Sequence, residues 1–105
     1  MPATLAGRLA EYAAGLSFDK LTKEAVHETK RRFIDSFATA VGAMPSDAYA
    51  IAKKCAGRVS GNPGASVLGG GTSSPEWATF VNGLLIRYLD FNDTYLSKEP
   101  AHPSD

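Results

Sequence analysis

An all-α fold is what three features of this 105-residue chain predict. Apolar residues recur at i, i+3, i+4 and i+7 in four separate stretches, the period of a helix with one buried face. Thr22, Ser46 and Ser74 stand where three of those stretches begin, as helix-capping hydroxyls should. Clusters of Gly, Pro and Asn separate the stretches and stop them.

The first pattern carries Leu5, Leu9, Tyr12, Ala13 and Leu16 and weakens at Gly15 and Ser17. The second starts at about Thr22, with Val26, Phe33, Ile34, Phe37, Ala38 and Val41 predicted as its core face and Lys23, Glu24, Glu28, Arg31, Arg32 and Asp35 opposite. Gly42 and Pro45 end it. The third runs from Ser46 through Tyr49, Ile51, Ala52, Cys55 and Val59, and the turn Asn62-Pro63-Gly64 follows. Ala65 to Leu68 is too short for a helix between such breakers and reads as a short extended segment or edge strand, released by Gly69-Gly70-Gly71.

The fourth helix has the clearest start. Ser74 caps it, Pro75 takes the first helical position and Glu76 suits the positive end of the helix dipole. Trp77, Phe80, Val81, Leu84, Leu85, Tyr88 and Leu89 then form a broad apolar face. Asn82-Gly83 would mark a hairpin in isolation, but the surrounding period overrides it, and Gly83 is expected to allow a close helix contact.

Composition excludes several function classes. Eleven basic and eleven acidic residues cancel, and the longest basic run is Lys30-Arg31-Arg32, so nucleic acid is not an expected partner. No apolar run approaches the roughly 20 residues of a bilayer span, so no membrane role is expected. The N-terminus lacks a signal-peptide pattern, which fits a cytoplasmic setting. Cys55, the sole cysteine, falls in a helical stripe and reads as a buried small hydrophobe rather than a reactive thiol.

Three motifs invite chemistry and two are set aside. The triple glycine lacks a following Lys-Ser/Thr and any GxGxxG, so it reads as a plain loop rather than a phosphate cradle. His27 has Arg31, not a ligand, four residues on and reads as a helix-surface residue. The third is the stretch Asp90-Phe91-Asn92-Asp93-Thr94 to His102-Pro103-Ser104-Asp105, which gathers acid, hydroxyl and imidazole groups.

Asp90, Asp93 and Thr94 are spaced i, i+3, i+4 and would share one side of the fourth helix if it continued by a turn. Acids there oppose the helix dipole, which points to a functional need; the alternative is that they organise the following turn by hydrogen bonds to the backbone. His102 is pinned by Pro103 and can move a proton near neutral pH. Asp90, Asp93, His102 and Asp105 fit no compact metal motif, so no metal is expected. The chain ends against this cluster, which is expected of a fragment.

These residues resemble the MmgE/PrpD family, which includes 2-methylcitrate dehydratase and cis-aconitate decarboxylase. The resemblance runs through Arg32-Phe33-Ile34-Asp35-Ser36-Phe37-Ala38, Val41-Gly42, Ala65 to Gly69, Ser74 to Gly83, Leu89 to Thr94 and His102 to Asp105. It implies that residues 1–105 are the N-terminal portion of a large all-α domain, that a second α/β domain lies further along a longer chain, and that the protein is a homodimer.

The resemblance also implies a site at Asp90, Thr94 and His102, completed by lysines, a histidine and a tyrosine beyond residue 105. Asp90 and His102 would be catalytic, with Asp93 and Thr94 binding substrate. Asn92 replaces the Asp of many members, and this with the His-Pro-Ser-Asp ending resembles the methylcitrate dehydratase branch. The implied activity is removal of water from a small polycarboxylate by general acid/base catalysis, with no iron–sulfur cluster or organic cofactor. Decarboxylase or epimerase chemistry is the near alternative, and a non-catalytic helical oligomerisation module the rival of another class.

Overall fold

A computed structural model describes residues 4–102. Pro103, Ser104 and Asp105 lie outside the described residues, as does any part they take in the site. The chain divides into two compact units, Met1–Lys30 and Arg31–Asp105.

In the first unit, α1 spans Leu5–Gly15, and the Thr4 hydroxyl caps it by accepting from the Gly7 N–H at 3.1 Å. A single 3-10 turn covers Phe18–Lys20. Helix α2 is Lys23–Ala43, of which residues 31–43 belong to the second unit, and Thr22 caps it as expected, its hydroxyl accepting from the Ala25 N–H at 3.1 Å. No residue of α1 is buried, and Leu5, Leu9 and Tyr12 are exposed.

In the second unit, α3 is Asp47–Ala56 and α4 is Pro75–Tyr88, with Ser46 and Ser74 capping them through the N–H groups of Tyr49 and Trp77. The expected extended segment forms as β1, Ala65–Ser66, and pairs antiparallel with β2, Thr72–Ser73. A second ladder, β3 at Tyr95–Leu96 and β4 at Pro100–Ala101, was not expected from the sequence. The fold class is all-α, and these strands are two residues long each.

The core is built from small residues: Ala40, Ala43, Ala52, Ala56 and Ala78, with Tyr49, Val67, Val81 and Leu85. The predicted core face of α2 is therefore corrected. Phe33, Ile34, Phe37 and Val41 are 50–70% exposed, while Thr39, Ala40 and Ala43 are buried. Ala40 and Ala43 at the C-terminal end of α2 join the buried cluster, and the bulky stripe does not face it. Likewise Ile51, Phe80 and Tyr88 are exposed, and Cys55 is half-buried rather than buried. Gly83 makes no close contact, since a Cβ built there meets nothing within 4 Å.

Polar side chains tie the short strand to the helices. Asn82 of α4 accepts from the Leu68 N–H at 2.8 Å and donates to the Ser66 carbonyl at 3.1 Å, completing backbone groups that no strand partner takes. The Tyr49 hydroxyl donates to the Leu68 carbonyl at 2.7 Å, and the buried Ser73 hydroxyl donates to the Ala56 carbonyl at 2.7 Å. Gly69, at φ +86°, passes so close to the Tyr49 hydroxyl that a Cβ has no room.

Candidate active site

Helix α4 stops at Tyr88, and Leu89 caps it while still in helical geometry. Asp90 then turns left-handed, at φ 54°, a position where Gly, Asn and Asp are the residues tolerated. The chain leaves the helix there. Asp90, Asp93 and Thr94 thus do not line one side of a continuing helix; that expectation fails because the left-handed residue ends the 3.6-residue repeat.

The β3–β4 hairpin replaces it as the device that gathers the site. Its register pairs Tyr95 with Ala101 and Leu96 with Pro100, so the next rung sets Thr94 opposite His102. Accordingly Thr94 Oγ1 lies 3.5 Å from His102 Nδ1, and the Asp93 main-chain oxygen lies 3.0 Å from the same nitrogen. The Asp93 contact is the shorter, and a carbonyl can only accept, so Nδ1 carries the hydrogen. The lone pair of the neutral ring is then on Nε2.

The Asp93 carboxylate faces α2, where Arg32 Nη1 donates to its Oδ2 at 3.1 Å. This side chain is 6% exposed and that of Arg32 49%. Asp90 is different: its carboxylate is 83% exposed and lies 3.6 Å from Arg87 Nη2, one turn back on α4. The structure therefore joins Asp93, Thr94 and His102 in one hydrogen-bonded group and places Asp90 at the surface with Arg87.

One participant escaped the sequence reading. Arg32 read as one more charge on a solvated helix face, and nothing local distinguishes it from Arg31. Asn92 has both side-chain polar atoms buried without a hydrogen-bond partner among the described residues. Among the described residues no three His, Cys, Asp or Glu side chains converge as a metal site would need. A surface hollow of about 240 Å³ lined by Glu76, Trp77 and Phe80 is at the opposite end of α4, roughly 20 Å away by helix rise. Glu76 is held below its ordinary pKa by its own backbone N–H and then by Ser74, as suits a carboxylate in a first helical turn.

The MmgE/PrpD N-terminal domain matches residues 7–105 of the chain. The chain belongs to the MmgE/PrpD family. Over 31 residues, 30% of its length, it is 58% identical to 2-methylcitrate dehydratase from Salmonella typhimurium and equally to that from Escherichia coli K12; the match covers 6% of each of those proteins. It is 31% identical over 93 residues to human cis-aconitate decarboxylase, covering 86% of the chain and 19% of that protein. The chain thus spans under a fifth of the length of these relatives. No solved structure matches it significantly. No helix among the described residues is long and apolar enough to cross a membrane.

Proposed function

We propose that this MmgE/PrpD chain is part of a hydro-lyase like 2-methylcitrate dehydratase, acting on a small polycarboxylate. The observation that carries the reading is the orientation of His102, whose Nδ1 is engaged by the Asp93 carbonyl, leaving Nε2 for proton transfer. Eliminating water requires removal of a proton from the carbon α to a carboxylate, formation of the carbon–carbon double bond, and departure of hydroxide with a proton as water. His102 is the base for the first step. Asp90, whose carboxylate is 83% exposed, is the second catalytic group, and Thr94 orients a substrate hydroxyl or carboxylate.

Asp93 contributes to substrate binding by holding this group against α2. A polycarboxylate beside Asp90 and Asp93 needs cationic neutralisation, which further chain beyond residue 105 is proposed to supply. The whole protein is proposed to continue the all-α domain, to add an α/β domain, and to work as a cytoplasmic homodimer without an organic cofactor.

The longer match to human cis-aconitate decarboxylase supports a second reading, decarboxylation at the same site. The test is to purify the complete gene product and supply 2-methylcitrate and cis-aconitate in separate assays. Formation of an unsaturated acid from 2-methylcitrate, followed by ultraviolet absorbance, supports the dehydratase. Release of carbon dioxide from cis-aconitate supports the decarboxylase. Inactivity on both leaves epimerase chemistry or the helical oligomerisation module. The isolated 105-residue chain is expected to be inactive in either assay.

A further inference from the structure

We propose that Arg32 is a positioning residue for His102, acting through Asp93; the inference rests on the reading of His102 as the base. Arg32 belongs to α2, an element to which no other residue of the group belongs. Its guanidinium donates to the Asp93 carboxylate at 3.1 Å, while the main-chain oxygen of the same Asp93 receives the His102 Nδ1 hydrogen at 3.0 Å. Two constraints meet on one residue. The ion pair sets where the Asp93 peptide stands, and the peptide oxygen sets which ring nitrogen carries the hydrogen.

The tautomer matters because an unrestrained imidazole prefers its hydrogen on Nε2, which puts the lone pair on Nδ1, the nitrogen turned toward the Asp93 carbonyl. Only with Nδ1 as donor does Nε2 hold the lone pair. The hairpin cannot fix this unaided. Strands β3 and β4 have two residues each, all exposed, and a ladder that small is marginal by itself. Thr94 adds a contact of 3.5 Å to the same nitrogen, and a hydroxyl both donates and accepts, so it does not select a tautomer. A charge-assisted bond from α2 to the shielded Asp93 carboxylate is the anchor that a rigid helix supplies.

The experiment uses the complete gene product with 15N-labelled histidine. Long-range 1H–15N correlation at a pH where the ring is neutral reads the tautomer, and His102→Ala identifies the His102 signals by their loss. The wild type is expected to carry hydrogen on Nδ1. Arg32→Met and Asp93→Asn should move the ring toward hydrogen on Nε2 and lower kcat by about 10–100-fold, with little change in KM for Arg32→Met. Arg32→Lys, which keeps the charge, should restore part of both.

Retention of the Nδ1 hydrogen in Arg32→Met and Asp93→Asn overturns the proposal, as does its absence from the wild type. If Arg32→Met does not fold by circular dichroism, the nearly isosteric Asp93→Asn decides. The underlying reading fails separately: full turnover by His102→Ala would remove His102 from the chemistry, whereas the tautomer comparison would still settle the role of Arg32.

Discussion

Nδ1 of His102 lies 3.0 Å from the main-chain oxygen of Asp93, nine residues earlier, across the open end of the β3–β4 hairpin. That contact uses one ring nitrogen for orientation and leaves the other for chemistry. His102→Ala in the complete protein should lower kcat by about 10²–10⁴. Thermal stability should hardly change, because His102 is exposed. His27→Ala is the control, and a comparable loss there would defeat the assignment.

Asp90 can be separated into backbone and carboxylate. Asn tolerates the left-handed conformation, so Asp90→Asn should keep stability within about 0.5 kcal/mol while impairing turnover. Asp90→Ala should cost about 1–2 kcal/mol in urea unfolding from backbone strain alone. Full turnover by the Asn variant would show that the carboxylate is not used.

The strand anchor predicts an ordered pair of costs. Tyr49→Phe removes the donor to the Leu68 carbonyl and should cost about 1 kcal/mol. Gly69→Ala forces a Cβ at φ +86° into the Tyr49 hydroxyl and should cost more, about 2–4 kcal/mol. Denaturant midpoints of the two variants give the order directly, and equal midpoints would refute the close approach.

Glu76 gives the pH dependence. Its folded-state pKa lies below the ordinary 4.5, from its backbone N–H first and Ser74 second. The charged form is the one the fold favours, so its contribution is complete above 4.5 and disappears as pH falls through the lower folded value. Thermal melts from pH 7 to 3 should therefore show a shallower acid decline in Glu76→Gln than in the wild type, and identical slopes would contradict the cap geometry.

Phe33, Ile34 and Phe37 are 50–70% exposed on α2, and the rings of Phe33 and Phe37 stack at 6.4 Å. The 105-residue chain should bind a hydrophobic dye or self-associate in sedimentation. The double change Phe33→Ser, Phe37→Ser should weaken both while leaving the unfolding midpoint nearly unchanged, since neither ring is in the core. A monodisperse wild-type monomer that binds no dye would contradict this.

The amino-acid sequence by itself determined the helices, because caps and breakers act within a few residues of where they stand. Thr22, Ser46 and Ser74 cap where their hydroxyls predict, and the Asn82-Gly83 pair stays helical as its neighbours require. The site residues were legible only as a cluster at one end of the chain. Tertiary structure decided which face of α2 is buried: hydropathy ranks Phe33 and Phe37 above Ala40 and Ala43, yet the alanines are the ones that join the buried cluster. It also decided that Asp93 pairs with Arg32, 61 residues away, and that a hairpin returns His102 to Thr94. Contacts between distant segments depend on how whole elements are placed, and no local pattern in the chain encodes that placement.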